Sequence, residues 1–308
     1  MKDLKGYVMV LGASLFWGAS ATGAKFLLNR QVDTVTMVEA RVVFTVLLLF
    51  PFLLLYRPKA LLVPLRDLWR FLLLGVLGVA GSNFTYYYTI KESTVATGIL
   101  IQYTAPILVM AYAARNGEEQ FSTLKVAAAL ISLLGCYLAV GAYDFRVLNI
   151  SPLGTLTGIC SIVCFAFLTV YTRKLLHVFP FWTVTFYAIA GAALFWLIIR
   201  PPWAFIGSGL SDIPWLGLLA LSVASVLIPH SLYFGGLQRL VPSRVIITST
   251  MEPIVAIVSA AVLLGEGLAG LQIVGAALVI TAILLLQVRR EPERPLQQSV
   301  KEPPYASG

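Results

Sequence analysis

The chain has 308 residues, of which 59% are hydrophobic and 12% are charged, and its mean hydropathy is +0.88. A soluble domain carries about 25% charged residues, so this chain has too few to cover a water-facing surface. The net charge of +8 lies in short segments between apolar runs and forms no basic patch, which excludes a nucleic-acid partner. Composition therefore predicts an integral membrane protein whose main solvent is lipid.

A membrane-spanning helix needs about 20 mostly apolar residues. Ten stretches meet this requirement, and we predict an all-α fold with a spanning helix over each of them. The first, from Tyr7 to Leu28, is too long for the apolar region of a signal peptide, so we expect it to be retained. The predicted helices cover residues 7–28, 35–55, 69–90, 94–114, 123–141, 152–172, 181–199, 213–235, 243–264 and 268–288.

The loops between these stretches predict the orientation of the chain. Sixteen Lys and Arg residues lie on the side that holds both termini and four on the other side. Positive charge marks the cytoplasmic side, so we predict that both termini are cytoplasmic. Residues 291–308 are polar and rich in Pro, and we expect them to form a disordered cytoplasmic tail.

Two segments of the chain repeat each other at an offset of 147 residues. In both copies thirteen positions separate a proline from a glutamate, Pro106 from Glu119 and Pro253 from Glu266. We predict two five-helix repeats, 1–145 and 146–290. Because five is an odd number, the second repeat enters the membrane from the opposite side, and such inverted repeats are typical of secondary transporters.

Three short motifs resemble the drug/metabolite transporter superfamily, and its ten-helix EamA-type branch most closely. They are Leu15-Phe-Trp17-Gly18, Glu39-Ala-Arg41 and the two segments from Pro to Glu just described. The resemblance covers about residues 7–288. It implies a transporter of the bacterial inner membrane that exports small metabolites such as amino acids. It also implies a basket of helices around a central cavity and alternating access to the two sides.

One polar pair marks the predicted cavity. Asn83 and His230 correspond at the 147-residue offset, and aromatic residues follow each of them on the same helical face. The resemblance implies that the third, fourth, eighth and ninth helices line the cavity. In the alternative interpretation His230 bonds a neighbouring helix and the tyrosines pack. The predicted substrate-binding residues are Trp17, Asn83, Tyr86, Tyr87, Gln102, Tyr103, His230, Tyr233, Thr248 and Thr250.

Glu252 lies near the middle of the ninth predicted helix. A carboxylate at this depth costs about 2.5–3.5 kcal/mol on insertion scales and needs a compensating partner. We therefore interpret Glu252 as a proton-coupling or substrate-contacting acid, with helix packing as the alternative. Pro106 and Pro253 are predicted to bend their helices around the cavity. Glu119 is predicted to cap the helix that follows it.

Lys25, Glu39 and Arg41 bracket the loop between the first two helices. Lys25 and Glu39 reach similar depths on antiparallel helices, which favours an ion pair. The alternative is an extracellular gate, or a contact to a substrate carboxylate.

No cofactor or enzymatic activity is predicted. Cys160 and Cys164 are one helical turn apart, but no His or carboxylate joins them, so they do not indicate a metal site. The sequence contains no Walker motif and no Ser/His/Asp arrangement. The expected partners are a small-molecule substrate and membrane lipid, and a closed bundle is compatible with a monomer. Proton coupling or facilitated diffusion, drug-like or nucleotide-sugar-like substrates, and a non-transporting membrane sensor remain alternatives.

Overall fold

The computed structural model describes residues 2–29, 34–119, 122–144, 148, 151–200, 215–264 and 267–288. Within these ranges every regular element is a helix, and no strand occurs. The predicted tail, 291–308, lies outside the described residues, as do Glu266 and the side chain of Lys25. The predicted all-α fold is therefore confirmed for the described part of the chain.

Helix lies over each of the ten predicted stretches, so the helices are numbered α1 to α10, with a and b for the halves of an interrupted helix. Within the described residues, seven helices are long and apolar enough to cross a membrane, and the count of ten spanning helices stays a prediction. The bounds are α1 Lys2–Asn29, α2 Thr34–Tyr56, α3 Leu65–Glu92, α4a Val95–Gln102, α4b Ala105–Arg115, α5 Thr123–Ala139, α6 Pro152–Leu176, α7 Phe181–Ile199, α8 Leu216–Leu237, α9a Pro242–Thr248, α9b Met251–Leu264 and α10 Gly270–Val288.

The two halves of the chain share two irregularities of the helical backbone. Helix α3 contains a π-helical segment, Leu74–Ala80, and α8 contains another, Val223–Leu227. Helix α4 is interrupted at Tyr103–Thr104 and α9 at Ser249–Thr250. At the 147-residue offset the two π-helical segments overlap and the two interruptions fall within one residue of each other. Their agreement favours a duplicated unit, while the boundary at residue 145 and the inverted orientation stay predictions.

Each interruption is followed closely by a proline, Pro106 in α4b and Pro253 in α9b. Proline has no N–H to donate to the carbonyl four residues earlier. In α9 that carbonyl belongs to Ser249, and it instead accepts from Glu252 N at 3.0 Å and Ser14 Oγ at 3.5 Å. Freed carbonyls at membrane depth need such partners. The prolines, predicted to bend their helices, thus lie beside two-residue breaks.

Glycines set the closest helix contacts. A Cβ atom added at Gly18 of α1 would lie 2.6 Å from the backbone oxygen of Glu252 in α9b. One added at Gly135 of α5 would lie 2.8 Å from the backbone oxygen of Gly275 in α10. Small residues permit this approach where hydrophobic association between helices in lipid is weak. As a result α1 packs directly against the helix that carries Glu252.

The outer surface of the bundle is apolar. Large hydrophobic side chains are exposed on several helices, as expected for a surface that lipid covers. Examples are Leu47, Phe50, Leu134, Ile159, Val262 and Leu284. Polar side chains are instead drawn to the centre, where α1, α3, α4, α6, α8 and α9 meet.

Candidate substrate cavity

A small polar cavity lies where six helices meet. Its volume is about 40 Å³, which is room for roughly three water molecules. Both apolar and hydrogen-bonding groups face it. The lining residues are Trp17 of α1, Ser82, Asn83, Tyr86 and Tyr87 of α3, Gln102 of α4a, Phe165 and Leu168 of α6, His230 of α8 and Glu252 of α9b.

Most of the predicted binding residues gather here. Trp17, Asn83, Tyr86, Tyr87, Gln102 and His230 all line the cavity. Three others are fully buried and bond elsewhere. Tyr233 Oη is 2.7 Å from Thr169 Oγ1, and the hydroxyls of Thr248 and Thr250 donate to backbone oxygens of their own helix. Sequence reasoning missed Ser82 of α3, and it missed Phe165 and Leu168 because nothing in the pattern of α6 marks an inward face.

Asn83 and His230 make equivalent hydrogen bonds within the two π-helical segments. Asn83 Nδ2 donates to the backbone oxygen of Val79 at 2.8 Å, and His230 Nδ1 lies 2.9 Å from that of Val226. Val79 and Val226 correspond at the 147-residue offset. A π bulge loosens the normal backbone hydrogen bonding, so each side chain satisfies a carbonyl of its own helix. The predicted pair therefore shares a local structural role.

The second ring nitrogen of His230 remains available. Since a carbonyl oxygen can only accept, Nδ1 carries the hydrogen, and Nε2 of a neutral imidazole presents a lone pair. This Nε2 atom is buried and has no hydrogen-bond partner within the described residues. The ring meets the edge of Trp17, with centroids 5.4 Å apart. A ligand donor in the cavity can therefore bond His230.

Glu252 lines the cavity directly after the break in α9. Its Oε2 atom accepts a hydrogen bond of 2.6 Å from the hydroxyl of Tyr103, which lies at the break in α4. The acid thus joins the two interrupted helices at one point. This bond partly compensates the cost of a carboxyl group at membrane depth.

Arg41 of α2 supplies a positive charge beside the cavity. It is 3% exposed, and its Nε and Nη2 atoms donate to Ser225 Oγ at 2.6 Å and Ser225 O at 3.2 Å, in the π-helical segment of α8. Its guanidinium lies 5.1 Å from the ring centre of Tyr87, a cavity residue. Nη1 is buried without a hydrogen-bond partner among the described residues. Arg41 also interacts electrostatically with Glu252.

Glu39 lies two residues before Arg41 in α2 and is 1% exposed. Its Oε1 atom has no hydrogen-bond partner within the described ranges, and Arg200 at the end of α7 interacts with it electrostatically. The predicted ion pair with Lys25 falls on a side chain that is not described. Arg200 is therefore the charge that the structure places near Glu39.

Glu119 lies at the opposite end of the bundle from Glu39. Its Oε2 atom pairs with Lys125 Nζ at 3.0 Å, and its Oε1 atom accepts from Ser243 N at 3.1 Å. Ser243 is in the first turn of α9a, so the acid contacts the N-terminus of that helix, where negative charge is favoured. The prediction is that Glu119 caps the following helix, α5; in the structure the backbone N–H that it accepts from belongs to α9a, and its contact with α5 is the side chain of Lys125.

A helical bundle with interrupted helices that meet at a small polar cavity defines a class of protein, the membrane transporter. The sequence model of the EamA-like transporter family matches residues 4–141 and again 152–288. The chain therefore belongs to this family, which confirms the resemblance drawn from the motifs.

Relatives agree with this assignment. The chain is 25% identical to the "Uncharacterized inner membrane transporter YicL" of Salmonella typhimurium, over 92% of this chain and 95% of that one. It is 27% identical to an "Uncharacterized transporter" of Archaeoglobus fulgidus, over 86% and 90%. It is also 27% identical to the "Threonine/homoserine exporter RhtA" of Salmonella typhimurium, over 70% and 71%. A solved crystal structure has the same fold, with a TM-score of 0.73 at 21% identity over 92% of this chain and 96% of that chain.

Proposed function

We propose that this transporter exports small amino acids or similar amphipathic metabolites through the central cavity. The observation that carries the proposal is the pairing of opposite charges at one cavity, Glu252 in its wall and Arg41 against Tyr87. A zwitterion presents one group to each. The threonine and homoserine that the name of RhtA gives as its cargo belong to this chemical class.

The aromatic walls suit the less polar part of such a molecule. Trp17, Tyr86, Tyr87 and Phe165 surround the polar groups. Nucleotide sugars carry more negative charge than one arginine neutralises, and Arg41 is the cation that the described residues place beside the cavity. Nucleotide sugars, drug-like molecules, and a sensor that binds without transport, are the alternatives.

Transport would proceed by alternating access. The open space in the cavity, about 40 Å³, is smaller than an amino acid, so substrate entry would need the lining helices to move apart. Helix breaks in α4 and α9 provide matching points at which the two halves can change their tilt. Each half then exposes the cavity to one side of the membrane in turn.

Glu252 is the proposed site of proton coupling. A proton that enters from outside would neutralise the carboxyl group and weaken its attraction for a substrate ammonium, and loss of the proton would restore it. Facilitated diffusion without this step is the alternative. We further propose that the protein is a monomer in the bacterial inner membrane with both termini in the cytoplasm, as the charge distribution of the loops and the name of YicL favour.

Flux measurements in everted membrane vesicles test the proposal. We expect uptake of radiolabelled L-threonine, or of another amino acid in a panel of twenty, and competition by the unlabelled compound. Glu252→Gln should reduce this uptake strongly, while the Lys91→Gln variant, altered at an exposed position outside the cavity, should not. Binding of an amino acid without any flux would instead indicate a sensor. Flux of nucleotide sugars or drugs alone would contradict the assignment.

A further inference from the structure

A second, larger pocket lies at one end of the bundle. Its volume is about 480 Å³, which is within the usual range for small-molecule sites. We call it the vestibule, and its lining residues are Lys5, Leu176, His177, Leu237, Gln238 and Arg239. They come from the start of α1 and the ends of α6 and α8, the side predicted to be cytoplasmic.

The same three helices line the central cavity. Gln238 follows His230 by eight residues in sequence, and His177 follows Leu168 by nine. At about 1.5 Å of rise per residue, the vestibule lies roughly 12–14 Å from the cavity along these helices. The vestibule therefore lies at the exposed end of the helices whose middle parts line the central cavity.

Buried side chains separate the vestibule from the central cavity. Tyr233, which is fully buried, lies between His230 and Gln238 on α8. Its hydroxyl bonds Thr169 of α6 at 2.7 Å, and its ring centre is 5.3 Å from that of Trp17 in α1. The residue thus contacts all three helices between the vestibule and the cavity.

The vestibule is positively charged. Lys5 and Arg239 both line it, and neither forms a salt bridge within the described residues. Arg239 donates one hydrogen bond, to Gly235 O at 2.8 Å, which leaves other guanidinium donors available. Among the residues that the structure describes, no carboxylate lines the pocket. The ends of α6 and α8 contribute about half a negative charge each, less than the two full cationic charges.

Neighbouring groups do not cancel this charge. Arg173 already donates to the backbone oxygens of Leu237 and Leu240, so it satisfies the end of α8. Burial and the charge of Arg173 lower the pKa of His177 below its ordinary value of 6.5, while Glu118 acts in the opposite direction. His177 is accordingly neutral near pH 7 and adds a hydrogen-bonding group.

We propose that the vestibule is a loading subsite, where Lys5 and Arg239 receive the carboxylate of a cytoplasmic substrate before Tyr233 admits it to the cavity. The inference rests on the proposed function, because it assumes a cargo with a carboxylate. It adds a second binding site and two residues that determine charge selectivity.

Side-specific kinetics test the loading subsite. In everted vesicles we expect Lys5→Gln/Arg239→Gln to raise the half-saturation concentration for radiolabelled L-threonine about tenfold, with the maximal rate retained. Arg239→Lys should restore most of the affinity, and added salt should weaken wild-type binding but not that of the double variant. In right-side-out vesicles the same variant should keep the wild-type half-saturation concentration.

The outcomes separate the two proposals. Wild-type flux combined with an unchanged half-saturation concentration in the double variant would overturn the loading subsite and leave the proposed function standing. An equal loss of affinity in everted and in right-side-out vesicles would show a general structural defect and would also overturn the loading subsite. If the loss appeared only in proteoliposomes that contain phosphatidylglycerol, and not in pure phosphatidylcholine, the pocket would hold a lipid phosphate. Absence of wild-type flux would remove both proposals.

Discussion

Replacement of Gly18 by alanine tests whether the position of Glu252 controls transport. The added Cβ atom would lie 2.6 Å from the backbone oxygen of Glu252 and 2.7 Å from Cβ of Val255. Ordinary contacts begin at 3.4 Å, so α9b must move by about 0.8 Å. Neither neighbour is the end of a flexible side chain, and the displacement therefore falls on the helix backbone.

A shift of this size is enough to break the bond between Glu252 and Tyr103. That bond is 2.6 Å long, and moving the acid away by 0.8 Å brings it to about 3.4 Å, beyond a normal O–H···O distance. Hydrogen bonds to charged groups contribute about 1.5–3 kcal/mol. We expect the half-saturation concentration of L-threonine in everted vesicles to rise at least about tenfold.

Gly12→Ala is the matched control on the same helix. There the added Cβ atom would meet only Cδ1 of Leu232, at 3.1 Å, and this flexible side chain can rotate away. We expect near wild-type kinetics, and both variants should elute as folded protein in detergent. Wild-type affinity in the folded Gly18→Ala protein, or an equal loss in both variants, would refute the reasoning.

Three further predictions concern charge and packing. Glu252→Gln should flatten the pH dependence of transport, while His177→Gln should keep its slope above pH 7, because the pKa of His177 is lowered from 6.5 by burial and by Arg173; an unchanged Glu252→Gln profile would contradict proton coupling. Arg41→Lys should lower the affinity for L-threonine about tenfold, because an ammonium cannot reproduce the two bonds to Ser225. Competition assays measure this loss, and the affinity for carboxylate-free analogues should not change. Gly135→Leu should destabilise the fold by about 1–3 kcal/mol through overpacking against α10, seen as a lower thermal midpoint, and an unchanged midpoint would contradict that contact.

Sequence reasoning located the helices because lipid imposes a simple rule of length and apolarity. It also found Asn83 and His230, since a 147-residue offset aligns them, and both make the same bond to their own helix. It could not place Phe165, because α6 is apolar on all sides and no periodic signal separates the inward face from the lipid face. Tyr233 is the opposite case, because its helical position predicts a cavity-facing side chain. It shares a face with His230, but its hydroxyl turns to Thr169 rather than to the cavity.

The prolines predict bends in α4 and α9, but the sequence does not predict which residues pair between distant helices. Local rules suggested that Glu119 would cap the next helix, yet it bonds Ser243 in the other half of the chain. Such contacts depend on how the halves assemble. Likewise, Arg200, which follows α7, interacts electrostatically with Glu39, while Lys25 is predicted as its partner from depth in the hairpin alone.

Duplication explains the framework of the cavity, but its charges break the symmetry. At the 147-residue offset Glu252 corresponds to Ala105 and Arg41 to Ala188, so each charge occurs in one half only. A strictly symmetric site would place two acids and two arginines around the same small space, with a large desolvation cost. One charge from each half avoids this cost. If the substrate is a zwitterion, as proposed, the two unrepeated side chains would bind its two ends, while the repeated backbone breaks would allow the halves to move.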